Sequence, residues 1–329
     1  MPEKIAVIGS GSWATALVKI FAESGNSVSW LVRTKKQADY ILANGRNPRY
    51  LSQADLDLHF IHPTTQAKDA MSGADWVIFA VPAAYVQTTV QSLKPEWLQT
   101  VQVVVSIKGF VPGSGQIPGM YIHENLQLKN NCMVLSGPCH AEEIALHKYT
   151  YVTVAGDDEI KVSKLRNCLQ LPYIKTIANT DPKGVEYVAI LKNIIAIANG
   201  IADSLQYGDN FRAVLTSNAM REVQHIVNTI APKERDYFDS VYFGDLLTTA
   251  YSDFSRNRTL GKLVGRGIQV RKALQIMEMV AEGYYASKEL HPIIQPLQLH
   301  VPVINSVYRM LHLHANPYHE IKLLEQQLQ

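Results

Sequence analysis

From Lys4 to about residue 178, short β-branched runs alternate with longer stretches whose apolar residues recur at helical spacing. That is the pattern of a parallel sheet with helices on its faces. It predicts strands over 4–8, 28–33, 75–81, 101–107, 132–136 and 151–155. Between the first two, Ala14, Leu17, Val18 and Phe21 recur at helical period within Trp13 to Ser24, completing one βαβ unit. Past Thr180 the texture changes. Asp181-Pro182 reads as a helix start, and Lys183 to Leu205 is rich in Ala and Ile with no strand punctuation. Helices are expected from there to the end, with breaks at Tyr207-Gly208-Asp209, Ala231-Pro232, Gly265-Arg266-Gly267 and His291-Pro292. The expected architecture is an α/β domain over 1–180, doubly wound with a mostly parallel sheet, followed by an all-α domain over 181–329.

Composition bounds this picture. A chain of 329 residues is long enough for two domains that each bury a core, with an interdomain cleft to hold chemistry. Apolar residues at 47% and charged residues at 18% describe an ordinary globular protein. A balance of 31 Lys+Arg against 29 Asp+Glu gives a net charge of +2, which argues against a nucleic-acid partner. The first strand begins at Lys4, which leaves no room for a signal peptide, and no apolar run reads as a membrane span. Cys132, Cys139 and Cys168 have neither disulfide-framework nor zinc spacing, so no metal is expected and a reducing cytoplasm is the simplest setting.

The first strand runs into Gly9-Ser10-Gly11-Ser12-Trp13-Ala14, a G-x-G-x-x-A sequence that opens the predicted helix. Two glycines there permit a tight turn and close backbone approach to a pyrophosphate, which sits against helix N-terminal N–H groups. Placed at the start of a βαβ unit, the pattern predicts dinucleotide binding in a Rossmann domain. At the end of the second strand, an acidic residue would bond the ribose 2′-hydroxyl and repel a 2′-phosphate. The chain has Val32-Arg33-Thr34-Lys35-Lys36 instead, so NADPH should be accepted beside NADH; a solvated basic turn is the bland alternative.

Three places carry candidate chemistry. Lys108 follows a strand and precedes Gly109, where its ammonium would reach the crevice beyond the strand ends, although a surface lysine reads the same way. Lys192 interrupts the apolar run Val188 to Ala196, and Lys192, Asn199 and Asp203 fall on one helical stripe, which suggests a lined cleft. Desolvation there would suit Lys192 to proton transfer; a structural Lys–Asp contact is the competing reading. The third is Gly244-Asp245-Leu246-Leu247-Thr248-Thr249 with Ser255-Arg256-Asn257-Arg258, which suits a phosphate monoester or equally a capped helix start. Cys139-His140 is poorly arranged for covalent catalysis, because adjacent helical residues do not face each other. His312-Leu313-His314 lacks further metal ligands.

In order along the chain, Gly9-Ser10-Gly11-Ser12-Trp13, Phe79-Ala80-Val81-Pro82, Lys108-Gly109, Ser136-Gly137-Pro138, Leu191-Lys192-Asn193, Gly244-Asp245-Leu246, Ser255-Arg256-Asn257-Arg258 and Glu282-Gly283 resemble the bacterial glycerol-3-phosphate dehydrogenase family. The resemblance implies reversible hydride transfer between NAD(P)H and dihydroxyacetone phosphate, giving glycerol 3-phosphate for phospholipid synthesis, in a cytoplasmic homodimer. It implies Lys192 as the proton donor and acceptor, with Lys108 and Asp245 as catalytic partners and Thr249 assisting. Arg256, backed by Ser255 and Asn257, would take the substrate phosphate or border the cofactor, and Gly137 and Cys139 would lie beside the substrate. Gly9, Gly11, Ser12, Trp13, Arg33, Lys108, Ala141, Val280 and Glu282 would line NADP or NAD. The chain departs from the family pattern at Ala14, where glycine is usual, at Cys139-His140, and across Ala250 to Phe254. Rival readings are a β-hydroxyacid or ketopantoate-type dehydrogenase on the same plan, and a nicotinamide-sensing module without turnover.

Overall fold

The computed structural model describes residues 2–277 and 280–329. The chain separates into two compact units, one of residues 1–107 with 116–185 and the other of residues 108–115 with 186–329. The sequence pattern assigned 108–115 to the first domain. In the structure it packs within the second unit, where the Asn193 amide donates to the Lys108 carbonyl at 2.9 Å and the Glu289 carboxylate accepts from the Gly113 N–H at 3.1 Å.

The first unit is built on eight strands: β1 (Lys4–Ile8), β2 (Ser27–Leu31), β3 (Ile61–Thr64), β4 (Trp76–Phe79), β5 (Gln102–Val105), β6 (Met133–Ser136), β7 (Thr150–Ala155) and β8 (Ile174–Asn179). They lie in the order β3-β2-β1-β4-β5-β6-β7-β8. Every neighbouring pair is parallel except β6 with β7. Central strands β4 and β5 are buried at every position, as expected where helices cover both faces of a parallel sheet. The helices are α1 (Ser12–Glu23), α2 (Lys35–Asn44), α3 (Ala67–Met71), α4 (Val86–Gln91), α5 (Pro118–Asn125), α6 (Ala141–Ala145) and α7 (Glu159–Asn167). Ala14, Leu17, Val18 and Phe21 of α1 are fully buried, so the helical period read from the sequence marks the face that packs on the sheet.

The pattern missed β3 and β8, the two edge strands. Pro63 in β3 has no N–H to donate and is tolerated at an edge, but it hides the strand signal. In β8, half-buried alternation replaces the continuous apolar run of a central strand.

The second unit is helical: most of α8 (Pro182–Ser204), then α9 (Asp209–Ile230), α10 (Asp245–Tyr251), α11 (Arg256–Gly265), α12 (Val270–Ile276), α13 (Glu282–Ile294), α14 (Pro302–His312) and α15 (Pro317–Glu325). By length and composition α8 could cross a membrane, contrary to the sequence expectation, but 94% of its most apolar stretch is buried inside the protein. It is the core helix of this unit. A second correction concerns His291-Pro292, expected as a break: α13 continues to Ile294 with Pro292 inside it. In the last turn the missing proline N–H forfeits one helical bond, and the His291 ring stacks on Tyr308 of α14 with centroids 3.7 Å apart. Helices α8 and α11 touch backbone to backbone, because a Cβ on Gly200 would collide with the Arg258 carbonyl and one on Gly261 with the Ile197 carbonyl.

Candidate active site

In the first unit, the loop after β1 stands where β2 and β4 flank β1 on opposite sides and the strand order reverses, the usual place for a ligand in such a sheet. Gly9 has φ +129°, and a Cβ there would lie 2.5 Å from the Ala80 carbonyl oxygen, so close strand packing itself demands glycine. Gly11 differs, since a Cβ there would meet nothing within 4 Å. It is the N-cap of α1 and has no side chain to bond the first turn, which leaves an open anion-binding cradle at the start of a 12-residue helix.

The loop is held in part by Trp30 and Asn47, which the sequence pattern did not single out. The Trp30 indole donates to the Gly9 carbonyl at 2.6 Å, and the Asn47 amide donates to the Ser10 carbonyl at 3.2 Å and the Thr15 hydroxyl at 2.8 Å. The Trp13 indole donates to the Ser106 hydroxyl, which donates onward to the Leu135 carbonyl, both at 2.7 Å. Ser12 and Ala141 are buried, whereas Arg33 is exposed just before Thr34, the N-cap of α2. Among the described residues, no carboxylate follows β2 before α2 begins.

Gly137 closes β6 at φ +123°, and a Cβ there would lie 3.0 Å from the Tyr151 carbonyl oxygen, so this glycine has a structural reason of its own. The buried Cys139 thiol donates to the Gly137 carbonyl at 3.0 Å. The Cys139-His140 pair adjoins α6, with His140 as its N-cap.

In the second unit, α8 brings Lys192 to Asp245, and the two side chains form a buried ion pair with each about 3% exposed. A turn of π-helix over Ser240–Gly244 runs directly into α10 and presents Asp245 at the junction of the two. The Thr249 hydroxyl donates back to the Asp245 carbonyl at 2.8 Å. An amide relay ties this pair's surroundings together. Asn193 donates to the Lys108 carbonyl at 2.9 Å, Asn257 donates to the Asn193 side-chain oxygen at 2.9 Å, and the Gly283 N–H donates to the Asn257 side-chain oxygen at 2.8 Å. Gly283 must be glycine, because a Cβ would lie 2.5 Å from the Asn193 carbonyl oxygen. Four segments far apart in sequence therefore meet around Lys192.

Asn257 spends both ends of its amide inside the protein, and Ser255 caps α11 by accepting from the Arg258 N–H at 3.3 Å. Arg256 is exposed at the first position of α11, Glu282 is half-buried at the start of α13, and Val280 is exposed just before it. The rest of the polar stripe on α8 does not line a cleft. Asn199 is fully buried and accepts from the Thr216 hydroxyl at 3.2 Å, and Asp203 holds Arg212, Arg258 and Lys262. The His312 ring packs on Tyr284 and Tyr308, meets the Ser287 hydroxyl at 2.9 Å, and has its pKa lowered by burial to about 4. A groove of about 420 Å³ beside β8, lined by Arg166, Lys175 and their neighbours, contains none of the expected site residues.

Residues 4–161 match the family model described as NAD-dependent glycerol-3-phosphate dehydrogenase N-terminus, and residues 181–322 match its C-terminal counterpart. A glycerol-3-phosphate dehydrogenase [NAD(P)+] of Clostridium botulinum is 33% identical over 308 residues, covering 94% of this chain and 92% of the relative. That of Shouchella clausii is 32% identical over 319 residues, covering 96% and 94%. The crystal structure of glycerol-3-phosphate dehydrogenase from Coxiella burnetii superimposes with a TM-score of 0.91 at 28% identity over 98% of both chains. A ketopantoate reductase from Ralstonia eutropha reaches a TM-score of 0.61 at 15% identity, over 96% of this chain and 99% of that one, which shows a shared fold alone. With both halves matched in order and relatives aligned over nearly the whole length, the chain belongs to the NAD-dependent glycerol-3-phosphate dehydrogenase family.

Proposed function

We propose that this protein catalyses reversible hydride transfer between NAD(P)H and dihydroxyacetone phosphate, giving sn-glycerol 3-phosphate. The observation that carries the reading is the buried Lys192–Asp245 pair, joined by the Asn193–Asn257 relay to Lys108 and Gly283. Burying a lysine and an aspartate together is costly unless the pair is well bonded, and a hydrophobic pair often serves stability as well. A charge pair retained in such a place fits acid–base work.

The residues fit a dinucleotide. Gly11 leaves room where a side chain would intrude, α1 offers its N-terminus to a pyrophosphate, and exposed Arg33 suits a 2′-phosphate. A bound nicotinamide would supply the hydride chemistry at the substrate's central carbon, in either direction. Lys192 gives a proton to the oxygen on that carbon during reduction and takes it back during oxidation. Asp245 holds the lysine in place, and Lys108 draws charge from the same oxygen. Arg256 takes the substrate phosphate through its guanidinium fork. Ser255 and Asn257 fix the turn that carries Arg256, in line with the bonds they make. Gly9, Gly11, Ser12, Trp13, Arg33, Ala141, Val280 and Glu282 border the cofactor, and Gly137 and Cys139 the substrate. In this reading, residues 1–180 bind the dinucleotide and 181–329 bind substrate and carry the catalytic groups, with Lys108 acting alongside the second set. On the family resemblance we also infer a cytoplasmic homodimer whose product supplies phospholipid synthesis.

The test is the loss of nicotinamide absorbance with purified protein, NADPH or NADH, and dihydroxyacetone phosphate, beside ketopantoate and β-hydroxyacid controls. Turnover of dihydroxyacetone phosphate is expected. Turnover of a carboxylate substrate alone would point to the rival dehydrogenase class, and cofactor binding with no turnover on any substrate to a sensor. Lys192→Ala is expected to lower turnover by about 10²–10⁴-fold, while NADPH affinity measured by fluorescence stays near wild type. Near-normal turnover would remove Lys192 from its role.

A further inference from the structure

The functional reading uses α8 through Lys192 and Asn193 and gives no task to Asp203, eleven residues beyond Lys192 on the same stripe. We propose that Asp203 is a positioning residue for substrate binding, holding the first turn of α11, and with it Arg256, in fixed register with Lys192. The proposal rests on the reading of Arg256 as the phosphate-holding residue.

One Asp203 carboxylate gathers three cations from two other helices. Oδ2 accepts from Arg258 at 2.9 Å and lies 3.4 Å from Lys262 Nζ, both on α11; Oδ1 lies 3.4 Å from Arg212 on α9. Arg258 and Arg212 are themselves buried, so each depends on its carboxylates for the bonds it loses to water. Arg258 is also the residue whose backbone N–H bonds the Ser255 cap, and its guanidinium pairs on the other side with Asp253. Arg256 lies between the cap and that anchor. The Arg212 guanidinium in turn lies over the Tyr251 ring at 4.8 Å, at the end of α10, the helix that begins with Asp245.

Helix α8 therefore holds α11 at three levels: Asn193 bonds Asn257, Gly200 abuts the Arg258 carbonyl, and Asp203 pairs with Arg258. At about 1.5 Å rise per residue, the outer two contacts are roughly 15 Å apart along α8. These contacts converge on neighbouring residues of α11, so they fix its first turn against sliding along α8, which a single bond would permit. The distance from the proton-carrying end of Lys192 to the guanidinium of Arg256 has to match one substrate, and this clamp sets it.

The experiment compares wild type with Asp203→Asn, Asp203→Glu and Arg258→Lys in steady-state reduction of dihydroxyacetone phosphate. NADPH affinity, thermal midpoint and the pH profile of kcat are measured in parallel. Asp203→Glu keeps the charge but lengthens the arm, and Arg258→Lys keeps the charge but loses the fork, so both test register if Asp203→Asn fails to fold. The expected result is a KM for dihydroxyacetone phosphate raised about tenfold or more, with kcat changed by less than about threefold, an unshifted pH profile and unchanged NADPH affinity. Unchanged KM in folded variants overturns the proposal, as does a loss of kcat with KM unaltered. A wild type with no activity on dihydroxyacetone phosphate overturns the functional reading and the proposal with it, whereas an active wild type with indifferent variants overturns the proposal alone.

Discussion

Gly9 and Gly11 stand two residues apart in one loop and are glycine for opposite reasons. At Gly9 the protein itself excludes a side chain, through φ +129° and the Ala80 carbonyl; at Gly11 it leaves space. Gly9→Ala is therefore expected to destabilise the fold by roughly 3 kcal/mol or more, read by denaturant titration. Gly11→Ala should keep stability within about 1 kcal/mol, because only an N-cap residue changes. It should weaken NADPH binding about tenfold or more, because the new methyl occupies the pyrophosphate approach. A Gly11→Ala protein that binds cofactor normally would remove the cradle from the site. Arg33, exposed at the end of the β2 turn, makes the complementary prediction: Arg33→Ala should weaken NADPH more than NADH, and equal weakening would mark it as a structural turn residue. The motif residues were legible one by one, since a glycine pattern or a lysine inside an apolar helix departs visibly from its surroundings. Asn193 and Asn257 stand inside legible motifs, but neutral amides give no sign of their partners.

Among the elements, α9 and α14 are joined by a carboxylate. Glu222 of α9 is buried and accepts from the N–H groups of Val303, at 2.7 Å, and Ile304, at 3.0 Å, in the first turn of α14. Burial outweighs those bonds and raises its pKa to about 7 from 4.5. Because the folded protein holds this proton more tightly than the unfolded chain, the contribution is fully present below about pH 4.5 and is lost as pH rises through about 7. The loss is on the order of 3 kcal/mol. Unfolding titrations from pH 5 to 8 should show wild-type stability falling relative to Glu222→Gln, which cannot ionise; parallel pH profiles would refute the assignment. Element prediction succeeded where burial is continuous or periodic, as in β4, β5 and α1. It failed at edge strands β3 and β8, where burial is partial and Pro63 masks the strand signal, and at Pro292, which lies close enough to the end of α13 to forfeit only one helical bond.

For the molecule as a whole, each unit has its own core: the sheet and α1 in the first, α8 in the second. The inferred homodimer predicts a sedimenting mass of twice 36.7 kDa, and a single-chain mass at micromolar concentration would rule it out. Sequence alone determined the doubly wound plan, the change to helices near residue 180, the dinucleotide fingerprint and the candidate lysines, because these depend on local periodicity and on residues out of keeping with their neighbours. Tertiary structure decided which partners those residues have. It paired Lys192 with Asp245, drew residues 108–115 into the second unit, spent Asn257 on Asn193 and Gly283, and turned a polar stripe into three separate attachments. The physical reason is that a hydrogen bond or ion pair joins atoms a few ångströms apart whatever their distance in sequence, and only the packed backbone sets which atoms those are.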